Sequence, residues 1–269
     1  MKTWAMLIRR ELWERRGLWL GAPIAALFLI ALSLFGRVGW KVGRERMEDH
    51  ALWEAPSVAY GAVWGGVSLI IVIVTMMMMI GYLLDALHAE RKDRSILFWR
   101  SLPVTDRDTV LAKFAVGMLV LPLISAATIV ITHAVITGAV SARYGSPDIG
   151  LWRYWWRAAW AVFTGTSQLV LWYAPVGSWL LLASAWARRA PFLYALVPPF
   201  ALIVGESMLF GSRVVRDYFT ARLDFPAGRL MHRETDGGLL TDPQLWLGVG
   251  IAAVLLTITI RVRRYRDEA

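Results

Sequence analysis

The chain has 269 residues, of which 57% are hydrophobic and 18% charged, with a mean hydropathy of +0.51 and a formal net charge of +9. There is too little polar surface here to clothe a soluble globule, and the absence of cysteine excludes disulfides and thiolate metal sites. The basic residues are divided among the ends of apolar stretches and not gathered on one surface, which excludes nucleic acid as their partner and fits membrane topology.

Residues 1–16 have helical periodicity. Trp4, Leu7, Ile8 and Leu12 share one face, Arg9, Arg10, Glu14 and Arg16 take the other, and Arg10–Glu14 and Glu11–Arg15 stand at i,i+4 spacing. Such a helix lies in the headgroup layer of membrane lipid. One reading makes it an anchor that sets the angle of the first span; a second makes it part of a docking surface for a cytoplasmic partner.

Six apolar stretches follow, at 17–35, 60–84, 114–140, 158–187, 191–211 and 245–260, and none contains lysine or arginine. About 20 apolar residues cross a ~30 Å hydrocarbon core as a helix. Lipid offers the backbone no partner but itself, so each stretch must be helical. The predicted fold class is therefore all-α, a polytopic membrane protein. It is a single transmembrane domain over residues 1–269, with six transmembrane helices, the N-terminal interfacial helix and a short cytoplasmic helix at 87–102 between spans 2 and 3. The first stretch reads as a retained span, because Glu11 and Glu14 lie among the bases before it and no small-x-small site ends it. Pro175 predicts a tilt or kink in the fourth span, and Pro198-Pro199 reads as the one strong internal break.

Orientation follows from the flanks. With the N-terminus inside, the inner segments carry 17 of the 29 basic residues, and both termini are predicted to be cytoplasmic.

The loop 85–113 carries the most information. From Leu87 to Trp99 it has no helix breaker and continues the second span. Ile96, Leu97, Phe98, Trp99 and Leu102 then place bulky apolar groups among charges. Pro103 stops the helix, and Thr105 with Asp108 three residues on has the form of a capping box opening the next helix. An apolar tip held below the membrane is a contact site, or else it lies back on the headgroups.

The run Glu90-Arg91-Lys92-Asp93-Arg94-Ser95-Ile96-Leu97-Phe98-Trp99-Arg100-Ser101-Leu102-Pro103-Val104-Thr105, followed by Lys113, resembles the loop after the second span of ABC-2 type permeases, the membrane subunits of ATP-binding-cassette transporters. That family shows Glu-Arg, a Gly-Thr pair, then a leucine run ending in Leu-Pro-Val-Ser. Here Arg94-Ser95 replaces the Gly-Thr pair, Phe98-Trp99 enters the leucine run, and Thr105 stands where serine is usual. The resemblance implies that 87–102 is a coupling helix. Ile96, Leu97, Phe98, Trp99 and Leu102 would dock in a groove of a soluble ATPase subunit, with Glu90 and Arg91 as polar contacts nearer the membrane. It further implies two ATPase copies, a second permease chain in a homodimer or heterodimer, export as the direction, and the bacterial cytoplasmic (inner) membrane as the location.

No G-x-x-x-x-G-K-[ST] phosphate loop and no hydrolase or metalloprotease signature occurs in the sequence. The chain is thus expected to be no enzyme and to hold no cofactor, with ATP and magnesium on the partner ATPase.

On the outer side, 151–157 (Leu-Trp-Arg-Tyr-Trp-Trp-Arg) reads as an aromatic belt or as a lid for an amphiphilic cargo, and 213–242 reads as a structured or semi-flexible loop. Glu206 is the one acid deep within a span, and His133, Thr164 and Gln168 fall at similar depth. A shared polar pocket with a desolvated carboxyl is expected, either fixing helix register or lining the translocation path. Rival readings are a proton-coupled secondary transporter using Glu206 and a membrane scaffold that transports nothing.

Overall fold

The computed structural model describes residues 2–35, 56–92, 104–144, 150–223 and 238–265. These are helical and contain no strand among the described residues. The elements are α1 (Lys2–Glu14), α2 (Arg16–Phe35), α3 (Pro56–Asp85), α4 (His88–Lys92), α5 (Asp106–Ala115), a π-helical turn (Val116–Val120), α6 (Leu121–Tyr144), α7 (Gly150–Trp186), α8 (Pro191–Phe210), α9 (Val214–Leu223), a 3₁₀ turn (Gly238–Thr241) and α10 (Pro243–Tyr265). Among the described residues six stretches are long and apolar enough to cross a membrane, and each overlaps one of the six predicted spans. The predicted tip residues Ile96, Leu97, Phe98, Trp99 and Leu102 lie outside the described residues.

The helix boundaries have local causes. Thr105 caps α5 as expected: its hydroxyl accepts from the Asp108 N–H at 3.1 Å, so the helix starts eight residues before the predicted span. Gly211, at φ 63°, ends α8 in the left-handed conformation that glycine tolerates. The expected continuity of α3 into residue 87 and beyond fails. The N–H groups of Leu87 and His88 both turn to the Ser184 hydroxyl of α7, each at 3.0 Å, and α4 begins as a separate short helix.

The Pro198-Pro199 pair also behaves differently from expectation. α8 runs unbroken through Pro198 and Pro199. Pro199 has no N–H to give the carbonyl four residues back, that of Ala195, but the Trp179 indole of α7 donates to it at 2.8 Å. A neighbouring side chain thus restores the bond the proline removes. Pro175, where a tilt or kink is expected, lies within α7 between Gly150 and Trp186. A helix absent from the sequence reading, α9, occupies part of the outer loop 213–242.

The chain divides into two compact units, one of Met1–Glu14, Met79–Val120 and Ser167–Ala269, the other of Arg15–Met78 and Leu121–Thr166. In the second unit Ala22 and Ala26 of α2, Ile71 of α3 and Ile129 of α6 form a buried core. Small residues there let helices approach, as Gly21 does for Met78. Thr75 donates to Ser125 at 3.0 Å between α3 and α6. Trp155 of the predicted belt donates its indole N–H to the Val130 carbonyl at 3.1 Å.

In the first unit Trp172 of α7 packs on Leu245 of α10. Arg222 of α9 is fully buried beside them. It donates to the carbonyls of Trp172 and Gln244, and its guanidinium carbon lies 4.2 Å from the centre of the Trp172 ring. Gly248 of α10 makes the room, because a Cβ there would strike the guanidinium. Gly250, two residues on, has nothing within 4 Å of such a Cβ. Gly248→Ala is therefore expected to lower stability by about 1–3 kcal/mol through overpacking. Gly250→Ala is expected to leave it unchanged or raise it by about 0.5–1 kcal/mol through backbone entropy. Thermal unfolding of the two variants in the same detergent checks the contrast, and equal midpoints would refute it.

Candidate functional site

The polar residues of the first unit converge where α1, α3, α4, α5 and α10 meet. α1 presents Glu11 from the same face as Leu7, one turn away, and both are buried. One carboxylate oxygen of Glu11, Oε1, accepts from Lys113 Nζ at 2.8 Å and from Arg10 Nη2 at 3.0 Å. The other, Oε2, accepts from the Tyr82 hydroxyl at 3.0 Å. Glu90, on α4, is built in the same way. Its Oε1 lies 3.0 Å from Lys113 Nζ and 3.2 Å from Arg10 Nη2, and its Oε2 accepts from Arg263 Nη1 at 2.9 Å. Arg263 Nε reaches on to Asp106 Oδ1 at 3.1 Å, and Arg10 Nε lies 3.3 Å from Glu14 Oε1.

Burial decides how these contacts should be weighed. Glu11 and Lys113 are each 2% exposed, Arg263 6% and Glu90 8%. An exposed ion pair contributes little, since water screens it. In a dry site the desolvation cost is large, and it is offset only when every charge has partners in good geometry. Here each carboxylate oxygen of Glu11 and Glu90 accepts from at least one donor. Lys113 is common to both acids.

The residue after Glu90 points another way. Arg91 Nη2 donates to the carbonyls of Ser184, at 2.5 Å, and Ala187, at 3.0 Å, at the end of α7. Those carbonyls have no intrahelical donor, and the negative end of the helix dipole favours a guanidinium. His88 Nδ1 lies 3.4 Å from the same Ala187 oxygen. Five residues of α4 are thus fastened by Glu90 to α1, α5 and α10, and by His88 and Arg91 to α7. The chain then enters the segment 93–103.

Of the residues singled out from the sequence, Glu90 and Arg91 belong to this site, with intrachain partners. The remaining residues divide. Glu206 is half-buried: it accepts from the Ser212 hydroxyl at 2.7 Å and the Val215 N–H at 2.9 Å, and so caps α9. His133 Nε2 lies 3.1 Å from Ser68 Oγ and 3.2 Å from the Trp64 carbonyl, with its ring stacked on Trp64. Thr164 donates to the Trp160 carbonyl of its own helix at 2.7 Å, and Gln168 is buried. Glu206 and Gln168 belong to the first unit, His133 and Thr164 to the second.

Sequence reasoning missed Glu11, Tyr82, Lys113, Arg263 and Ser184. The sequence places Glu11 at i,i+4 spacing from Arg15 and on neither named face, whereas the side chain is turned inward; its place one turn from Leu7, on the apolar stripe, is the signal that reveals it. The Arg10–Glu14 pair forms as expected.

Residues 58–145 match the family model described as ABC-2 family transporter protein, a stretch that takes in α3, α4, α5 and α6. No curated protein and no solved structure matches the chain.

Lys113→Met leaves two buried carboxylates short of a cation, and Glu90→Gln leaves three cations, Arg10, Lys113 and Arg263, short of an anion. Each is expected to cost about 3–5 kcal/mol, as breaking one side of a buried pair does. Glu14→Gln, at the exposed rim, is expected to stay within about 0.5 kcal/mol. Denaturant titration in mixed micelles checks this ranking, and wild-type stability for Lys113→Met would refute the cluster.

Proposed function

We propose that this chain, in which residues 58–145 match the ABC-2 transporter family, is the membrane subunit of an ATP-driven exporter of that family, powered by a separate ATPase. The observation that carries the reading is the fastening of α4. A segment that receives force from outside the membrane must pass it to the spans. The α4 segment leads directly into 93–103, and it is bonded to helices α1, α5, α7 and α10 through Glu90, Arg91 and His88. The absence of a phosphate loop from the sequence supports an engine on another polypeptide.

In this reading Ile96, Leu97, Phe98, Trp99 and Leu102 dock on the ATPase. Glu90 and Arg91 act one step behind them, as positioning residues that hold the docked segment to the spans. Two permease chains form the path and two ATPase subunits, which carry ATP and magnesium, bind beneath on the side of both termini. ATP binding closes the ATPase pair and moves the docked segments. The ion cluster carries that movement into α1, α5 and α10, and Arg91 carries it into α7. The excess of basic residues in the inner segments supports a cytoplasmic location for this end in the bacterial inner membrane. The long exposure of α8, from Phe192 to Phe210, suits contact with lipid or with the second chain.

The secondary-transporter reading is the weaker one. A proton carrier must exchange partners, and the Glu206 carboxylate is occupied as the cap of α9 by Ser212 and Val215.

Affinity purification of the tagged chain from its native membrane tests the reading. A soluble ATP-binding-cassette subunit is expected to copurify, and Phe98→Asp with Trp99→Asp is expected to abolish its recovery. Glu90→Gln is expected to retain the subunit while reducing permease-dependent ATP hydrolysis by about tenfold or more, the loss of one interaction of about 1.4 kcal/mol at the coupling step. Recovery of the chain with no ATPase would overturn the assignment.

A further inference from the structure

The third span contains one irregular turn, and it lies between the ion cluster and the rest of that span. We propose that the π-helical turn Val116–Val120 is a register hinge, which lets α5 carry Lys113 into and out of the cluster; this rests on the coupling role given above to α4. A π turn holds one residue more than an α turn and bonds i to i+5.

Its cause is local. Pro122 has no N–H, and in a regular α-helix its ring crowds the carbonyl four residues back, that of Met118. The wide turn, which includes Gly117 five residues before Pro122, relieves that contact. Its seat is shaped to match. Gly117 faces α3, where an added Cβ would lie 2.6 Å from Leu83 Cδ2, and Gly177 of α7 leaves room for the Met118 sulfur. Leu83 and Met118 are both buried, and methionine adapts its shape to a moving neighbour.

The end of α5 already shows divided register. The N–H of Val116 bonds both the Ala112 and the Lys113 carbonyls, four and three residues back. Should the extra residue move one turn toward the N-terminus, the residues it passes, Lys113 among them, advance by one helical position. That is ~100° about the axis and ~1.5 Å along it. The Lys113 ammonium then leaves Glu11 and Glu90, which now hold it at 2.8 and 3.0 Å. The cluster thereby has two arrangements, with Arg10 and Tyr82 remaining on Glu11 in the second. Packed elements switch between discrete states of this kind more readily than they deform.

Amide hydrogen exchange on the chain alone, in lipid nanodiscs, tests the hinge without any partner. In the wild type the amides of the mostly buried residues 112–118 are expected to exchange at least about tenfold faster than those of 176–184 in α7, which is also mostly buried. Equal protection would overturn the proposal. Deleting Leu119, which is exposed, together with Pro122→Ala removes the extra residue and the reason for it while keeping the flanking helices in register. This variant is expected to remove the excess exchange. In the copurified complex it is expected to retain the ATPase but lose permease-dependent ATP hydrolysis by about tenfold or more. Wild-type hydrolysis by the deletion variant would overturn the hinge and leave the ATPase assignment standing. Failure to recover any ATPase would sink that assignment, while the exchange result on the chain alone still decides the hinge.

Discussion

Two carboxylates withdrawn from water, Glu11 and Glu90, share one ammonium, and the arrangement of the first unit follows from that shared charge. In the arrangement seen, Lys113 lies within 3.0 Å of a carboxylate oxygen of each acid, and each buried charge needs the other in place of the water it has lost. Three elements far apart in sequence must therefore meet at one point. Arg263 brings a fourth and Tyr82 a fifth. Hydrophobic matching alone would let these helices slide or rotate against each other at small cost, because lipid solvates apolar side chains about as well as a neighbouring helix does. Ion pairs with defined partners fix register in a way that apolar contact in a membrane does not.

α10 is held at both ends. Near its start, Gln244 and Gly248 receive Arg222, which also stacks on Trp172 of α7. Near its end, Arg263 joins the ion cluster. The 15 residues between Gly248 and Arg263 span roughly 22 Å of helix. α9 is secured in a matching way, with the Glu206 carboxylate on its first N–H groups and Arg222 in its last turn. Both charges suit the polarity of the helix they hold.

The spans were legible in the sequence because lipid makes their signal one-dimensional. Twenty apolar residues must form a helix whatever surrounds them, and the cap at Thr105 is equally local. The failures share the opposite cause. The break after Asp85 depends on Ser184, nearly a hundred residues later, accepting two N–H groups. The bond that Pro199 removes from α8 is replaced by the indole of Trp179. The ion cluster depends on five helices meeting. Periodicity can show which face of a helix Glu11 occupies, but not which base awaits it. Glu90 and Arg91 were recognised as significant from their neighbours in sequence, while their partners required the fold.

The Ser184 hydroxyl makes the connection between α3 and α4 a knuckle in place of a rod. A continuous helix would transmit torque along its own axis and twist the second span whenever its extension was turned. With the backbone ladder interrupted at Leu87 and His88, the coupling role proposed for α4 calls for its rotation to be decoupled from α3 and spent on the charges that grip it from the side. In that proposal the second span serves as a pivot, tied to the cluster through the Tyr82 hydroxyl.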